Sequence, residues 1–184
     1  VSSKPGAGHH SWSEEEIERF ESTHSIGTKA RLAFALLLYT CCRREDATRL
    51  GQQHIRKGRL QYTQAKNENR NPVRIDIPVH PELAKIIAAT PSEHLTFITT
   101  EHGKSFSRGG FGHWFRTQCD KAGLPHCSAH GLRKAGARRL AEAGCTVHEI
   151  MSITGHKTLQ EVERYTRTAD QKGLADSAMK KLRS

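Results

Sequence analysis

The sequence holds no apolar run long enough to cross a membrane. The longest, Leu32 to Thr40 with its flanks, falls far short of the roughly 20 residues a spanning helix needs. Val1 to Ser13 is rich in Gly, His, Ser and Lys and has no apolar stretch, so no signal peptide is read there. Aromatic residues are scarce, at 6%, which argues against the aromatic-rich strands that stack RNA bases. Acidic residues are outnumbered: 19 Asp and Glu stand against 29 Lys and Arg, for a formal charge of +10 at pH 7. That excess points to a polyanionic partner, nucleic acid or an acidic membrane. The five cysteines, at 41, 42, 119, 127 and 145, are odd in number and irregular in spacing. They suggest no disulfide framework and fit a reducing cytosol. With 12 histidines present, zinc deserves one check. Cys127-x-x-His130 has a ligand-like spacing, but no second CxxC or HxxxH half follows, so no metal or other cofactor is expected.

What is present fits one domain of 184 residues with a real core. Residues 1–11 read as a flexible lead-in or linker, and residues 12–184 as the folded domain. Ser13 followed by Glu14, Glu15 and Glu16 is a capping-box start for a helix. After Gly27-Thr28, a helix apolar nearly all round is expected from about Lys29 to Cys42, central to the core. A short charged helix to about Leu50 follows. Residues 59–63 and 73–77 alternate as strands, with a polar turn between them that puts Lys66 near a hairpin tip. Phe97-Ile98 reads as a short extended piece. Helices are expected at about 82–89, 107–122, 130–143, 147–153, 159–164 and 170–182. The fold class is therefore α+β, mainly helical, with one small antiparallel sheet on an edge.

Single residues carry little information. Arg43 directly follows the most apolar helix, so it leaves the core at a fixed place. Lys66 lies in a polar turn, where lysine is ordinarily just solvated. His130 and Arg133 are three apart at a helix start and share a face, where free backbone N–H groups favour an anion. Gly155 ends a helix and His156 follows it. Tyr165, nine residues later, has the polar neighbours Glu163, Arg164 and Arg167.

Taken together and in order, these residues resemble the tyrosine recombinase (phage integrase) family over about Trp12 to Leu182. Thr40-Cys41-Cys42-Arg43-Arg44-Glu45-Asp46 is similar to the family's Thr-Gly-x-Arg-x-x-Glu/Asp, with Cys41 where glycine is usual. Ile153-Thr154-Gly155-His156-Lys157-Thr158 is similar to its Leu-Gly-His-x-x. The resemblance implies six catalytic residues: Arg43, Lys66, His130, Arg133, His156 and Tyr165. It implies attack by the Tyr165 phenol on a phosphodiester, without metal, leaving a 3′-phosphotyrosyl link and a free 5′-hydroxyl. Arg43 and Arg133 would hold the nonbridging oxygens, His130 would accept the phenol proton, His156 would donate to a phosphoryl oxygen, and Lys66 would protonate the leaving 5′-oxygen. Asp46 would orient Arg43 or a neighbouring helix.

The resemblance also implies partners and a setting. Double-stranded DNA is the substrate of site-specific recombination or integration of a mobile element, in a cytoplasmic, nucleoid-associated location. Arg31, Arg56, Lys57, Arg70, Arg108, Arg116, Lys134, Arg138 and Arg139 are further candidates to hold its backbone. Leu174, Ala178 and Leu182 form one stripe of the last helix, suited either to its own domain or to a neighbouring subunit in a tetramer on DNA. DNA-bending accessory proteins are further partners. Members usually carry a separate amino-terminal DNA-binding domain, and nothing in residues 1–11 resembles one. Three alternatives compete: type IB topoisomerase-like DNA relaxation, a non-catalytic DNA-binding protein with a helix-turn-helix over Thr146 to Arg164, and an RNA-binding domain.

Overall fold

The computed structural model describes residues 8–166 and 171–183. Ser13 caps α1 (Glu14–Thr23) with a complete capping box, its hydroxyl accepting from the Glu16 N–H and its own N–H donating to the Glu16 carboxylate. Thr28 caps α2 (Lys29–Thr40), in which the side chains from Leu32 to Leu38 are all buried. As its composition predicts, α2 is the central helix. It stops at Cys41, which adopts a left-handed conformation (φ 52°, ψ 26°). This is a conformation glycine takes freely and cysteine does not. The resemblance had marked this position as a glycine site, and the backbone keeps the turn although the residue has changed. The short α3 (Arg44–Ala47) starts at once.

A three-stranded antiparallel sheet follows, in the order β1 (Ile55–Arg56), β2 (Arg59–Thr63), β3 (Arg74–Pro78). The first strand is absent from the sequence reading. It is two residues long and is made by a tight turn in which Lys57 and Gly58 both have positive φ, 49° and 74°, the turn that matches strand twist. Leu60 pairs with Ile77 and Tyr62 with Ile75, so the apolar side of the pleat faces the core. Residues 97–98 form no strand; the nearest pairing is the single bridge Thr99–Ser105. The other helices are α4 (Pro81–Ala89), α5 (Arg108–Lys121), α6 (Ala129–Glu142), α7 (Val147–Thr154), α8 (Leu159–Thr166) and α9 (Gln171–Lys181). The mainly helical α+β reading is what the structure shows.

Trp12, fully buried, organises the main core. Its ring lies 5.5 Å from Phe20, 5.9 Å from Phe34 and 6.3 Å from Phe115, measured between centroids. Aromatic pairs of this kind add about 0.5–1.5 kcal/mol beyond the area they bury. The Trp12 indole N–H donates to the Ser128 carbonyl at 2.9 Å, which ties this core to the start of α6. A second, smaller core of Ala137, Ala141, Ile150 and Val162 joins α6, α7 and α8, with Tyr165 packed at its edge. Helix α6 thus belongs to both cores.

Gly136 sets the approach of α6 to α2. A Cβ there would lie 2.6 Å from Cys41 Sγ and 2.7 Å from the Leu38 carbonyl oxygen. Gly136→Ala is expected to destabilise the fold by about 1–3 kcal/mol through overpacking, seen as a lower urea midpoint at unchanged m-value. Gly109→Ala, where a Cβ meets nothing within 4 Å, is the matched control and should be neutral or slightly stabilising.

Candidate active site

The close approach of α6 to α2 places Arg133, one turn before Gly136, under the end of α2. Arg133 is only 5% exposed. Its guanidinium donates to two helix-terminal carbonyls, that of Cys41 after α2 and that of Thr154 at the end of α7, the latter at 3.0 Å. Both are acceptors that helix ends leave open. Burial, with the Arg43 charge second, pulls the Arg133 pKa down. Arg43 occupies the N-cap position of α3, two residues after the left-handed turn. Its Nη1 donates to Gln64 Oε1 at 2.8 Å. Gln64, 1% exposed, in turn donates from Nε2 to the Thr154 carbonyl at 3.0 Å. One carbonyl therefore fixes both arginines, one directly and one through Gln64.

Gly155 follows with φ 70°. A Cβ at this position would lie 2.4 Å from Gln64 Nε2, so glycine is required both by the turn and by the neighbour. The turn delivers His156 to Arg133, with 3.3 Å between His156 Nε2 and Arg133 Nη2. An arginine only donates, so Nε2 is the acceptor and Nδ1 carries the proton. That proton goes to Thr154 Oγ1 at 2.7 Å, while the Thr154 hydroxyl donates to the Ile150 carbonyl at 3.0 Å. Desolvation, then Arg133, lowers the His156 pKa to about 4. The segment over Thr146 to Arg164 does form two helices joined by a turn, yet Gly155 there serves the contact between His156 and Arg133.

Arg43 and Arg133 line a cleft of ≈ 760 Å³ together with Lys66 and His130. His130 is exposed at the start of α6, where Ser128 caps the helix. Its pKa is lowered to about 4 by desolvation first, then by His9, Lys134, Arg133 and Arg164. Lys66 is exposed and sits at the entrance of the hairpin loop, two residues beyond Gln64, rather than at its tip. The bond from Gln64 N–H to the Val73 carbonyl, at 2.9 Å, closes the base of this loop. Asp46, 1% exposed, accepts the Ala65 N–H at 2.7 Å. It thus holds the backbone that carries Lys66, and its bonded partner is the hairpin rather than Arg43. Burial raises the Asp46 pKa, against the Ala65 N–H and three nearby arginines.

Tyr165 stands apart from this cleft. Its ring packs at the edge of the second core, and its hydroxyl accepts from Arg164 Nη2 at 3.0 Å. Five of the six residues singled out from the sequence are thus linked by the cleft or by hydrogen bonds to it, and the sixth is on the neighbouring helix α8. Sequence reasoning missed Gln64, a buried connector in a polar turn with no local signal. It also missed His9, whose ring lies 4.5 Å from that of His130. Among the other basic candidates, Arg108 and Arg116 line the cleft. Arg31, Arg138 and Arg139 are held in ion pairs with Glu21, Glu14 and Glu142.

A model described as the phage integrase family matches residues 12–172. The integrase of Mycobacterium phage D29 is 26% identical over 122 residues, 66% of this chain and 32% of that protein. The integrase of Mycobacterium phage L5 is 29% identical over 115 residues, 58% of this chain and 31% of that protein. The chain thus spans about a third of the length of these curated relatives. Two solved structures are similar in fold. Lambda integrase bound to DNA superposes with a TM-score of 0.72 at 21% identity, covering 93% of this chain and 66% of that one. XerA recombinase also gives 0.72, at 16% identity, covering 93% and 65%.

Two measurements test the site's construction. In the folded chain His130 and His156 stay neutral to about pH 4, whereas an unfolded imidazole takes a proton near pH 6.5. The unfolded state therefore binds more protons in between, so stability is complete above about 6.5 and is lost as pH falls toward 4. Histidine NMR titration should give midpoints near 4 for both rings; midpoints near 6.5 would show rings open to water. Gln64→Leu leaves the Arg43 guanidinium without its acceptor, and should lower unfolding stability by about 1–3 kcal/mol.

Proposed function

The chain belongs to the phage integrase family, and on that premise we propose that it cuts and rejoins double-stranded DNA at specific sites, with Tyr165 as the nucleophile. The observation that carries the proposal is the convergence of Arg43, Lys66, His130 and Arg133, from three separate stretches of chain, on one basic cleft. A phosphodiester gathers negative charge on its nonbridging oxygens as attack proceeds. Two guanidiniums held by buried hydrogen bonds present their donors without reorganisation at that moment. Among the described residues, the only carboxylate lining the cleft is Glu45, which is paired with Arg108 at 2.6 Å. A ligand set for paired divalent ions is therefore not available there, which supports charge stabilisation by the arginines and Lys66 themselves.

The reaction balances without nucleotide or redox chemistry. The Tyr165 oxygen bonds to phosphorus, the bond to the 5′-oxygen breaks, His130 takes the phenol proton, and Lys66 gives a proton to the leaving oxygen. The neutral state of His130 at pH 7 suits a base, and the incoming phosphate raises its proton affinity. His156 presents an acceptor nitrogen to Arg133 in the free protein. It donates to the phosphate only after protonation at Nε2, which the same anion favours. Because the Tyr165 hydroxyl rests on Arg164, attack requires Tyr165 to leave Arg164 and enter the cleft, a step that DNA drives by competing for the Arg164 charge. Reversal by the 5′-hydroxyl of another strand completes exchange.

The domain from residue 12 onward acts as the catalytic part. Assembly into a multimer on DNA is part of the proposal. Its support is the exposed apolar surface of Ala178 and Met179 on α9 and of Leu182 directly after it, together with two structural neighbours, a lambda integrase dimer bound to a core site and a tetramer bound to a Holliday junction. The side chain of Leu174, the third member of the expected stripe, lies outside the described residues. Accessory DNA-bending proteins would act on the DNA between sites. Among the described residues no helix is long and apolar enough to cross a membrane, and the proposed substrate puts the protein with the nucleoid in the cytoplasm.

A nicked suicide duplex carrying the element's site, incubated without added divalent cation, should trap a covalent protein–DNA adduct mapped to Tyr165. Tyr165→Phe should give none, and Arg43→Ala or Arg133→Ala should slow formation by about 10²–10³-fold. An adduct that needs magnesium, or that survives in Tyr165→Phe, overturns the mechanism. Lys66→Ala should be slow on the normal ester but near wild type on a 5′-bridging phosphorothiolate, since a thiolate with pKa near 8.5 leaves without a proton. Joining of two marked duplexes, rather than relaxation of a single supercoiled circle alone, separates recombinase from topoisomerase.

A further inference from the structure

Behind the start of α6, on the far side of Ser128 from the cleft, four side chains bring metal-binding atoms together. His10 precedes α1, Glu16 lies in its first turn, and His126 and Cys127 close the loop before α6. His10 Nε2 is 2.8 Å from Glu16 Oε2, and His126 Nε2 is 2.6 Å from Glu16 Oε1. The buried Cys127 thiol forms the floor, and one donor atom from each residue lies within 4.8 Å of all the others. No other such group exists among the described residues.

We propose that His10, Glu16, His126 and Cys127 bind one Zn²⁺ that staples the residue 8–12 arm and α1 to the lead-in of α6. Two imidazoles, a carboxylate and a thiol form the mixed N, O and S set that a borderline-soft, tetrahedral ion takes. Zinc lies about 2.0–2.3 Å from such donors, so tetrahedral ligand atoms sit within roughly 4 Å of one another. The observed group needs shifts of an ångström or less. Coordination replaces the two contacts between imidazole and carboxylate, and the thiol proton leaves to solvent as Cys127 becomes a thiolate. The Ser13 N–H, 2.8 Å from Glu16 Oε2, already orients the carboxylate from outside the ligand shell. A hydrogen-bonded His–Glu–His surface cluster would not need a buried thiol beneath it.

With all four positions filled by protein, the ion is structural and takes no part in strand cleavage. Its effect reaches the cleft through the chain. His9, next to a ligand, lies tilted against His130 with 4.5 Å between ring centroids, and its carbonyl accepts from Lys134 Nζ at 2.7 Å. Fixing residue 10 fixes this cover. His130 itself is not a ligand: it faces the cleft three residues beyond Cys127, so the Cys127-x-x-His130 spacing does not describe the site. The ligands spread from residue 10 to residue 127, which no local motif reveals.

The test uses the untagged chain and reads metal directly, independent of DNA cleavage. After equilibration with Zn²⁺ and desalting, one zinc per chain is expected, together with a rise in Tm over the chelated protein. Substituted Co²⁺ should give tetrahedral d–d bands and a thiolate-to-cobalt charge-transfer band that Cys127→Ser abolishes. His10→Gln and His126→Gln, at exposed positions that folding tolerates, should each weaken zinc binding at least tenfold, the loss seen when even an outer-shell partner is removed. A folded wild-type chain that keeps no zinc, a cobalt spectrum without the thiolate band, or unchanged metal content in the double histidine variant would overturn the proposal.

Discussion

The carbonyl of Thr154 is the point on which the site depends. It ends α7, where helix geometry leaves it without an intrahelical partner, and it accepts from Arg133 and from Gln64. Through Arg133 it is joined to the end of α2; through Gln64 it is joined to Arg43 and the hairpin. Three elements far apart in sequence therefore share one acceptor. Removing Arg133 does more than delete a charge, since the Cys41 carbonyl then loses this donor and the Thr154 carbonyl keeps Gln64 without it. Stability and site geometry are in this way the same set of bonds.

That dependence explains the local sequence around residue 155. Thr154 supplies the carbonyl and, through its hydroxyl, the tautomer of His156. Gly155 supplies the left-handed turn and the space that Gln64 fills. At the other end of the network, Cys41 takes the equivalent left-handed turn with a side chain in place. Its Sγ lies against Gly136, where a Cβ would meet it at 2.6 Å. The close packing of α2 on α6 therefore depends on the absent Cβ of Gly136.

Much of this was legible in the sequence where cause and effect are close along the chain. The apolar run of α2 with Arg43 directly behind it, the capping box at Ser13, and glycine before His156 each act within a few residues. The antiparallel pair 59–63 and 74–78 follows from alternation. What was not legible acts at a distance or is too short to leave a pattern. Gln64 reaches 21 residues back and 90 forward to its partners, and nothing near it distinguishes it from any polar turn residue. Strand β1 is two residues long, below any periodic signal. Residues 8–11, composed like a linker, lie along α6 because Gly131 leaves room for the His10 carbonyl, which a Cβ there would meet at 1.9 Å. Alternation gives the strand ends but not the shape of the loop between them, and the bond from Ala65 N–H to Asp46 holds Lys66 at the entrance rather than the tip.

The cleft also carries an electrostatic cost. Arg43, Arg44, Lys66, Arg108, Arg116 and Arg133 line one surface, and like charges at this density repel across a space with limited solvent. The protein offsets the repulsion incompletely. Glu45 pairs with Arg108 at 2.6 Å, and buried Asp46 lies behind Arg43 and Arg133 with its Oδ2 unpartnered. The depressed proton affinities of His130 and His156 come first from desolvation and then from the cations already present, which oppose further charge there. On the proposed reading, a bound phosphodiester would offset the charge part of this balance, by drawing the guanidiniums to itself and raising the proton affinity of the two imidazoles. The free site is a concentration of positive charge whose lining, among the described residues, holds one carboxylate, already paired with Arg108.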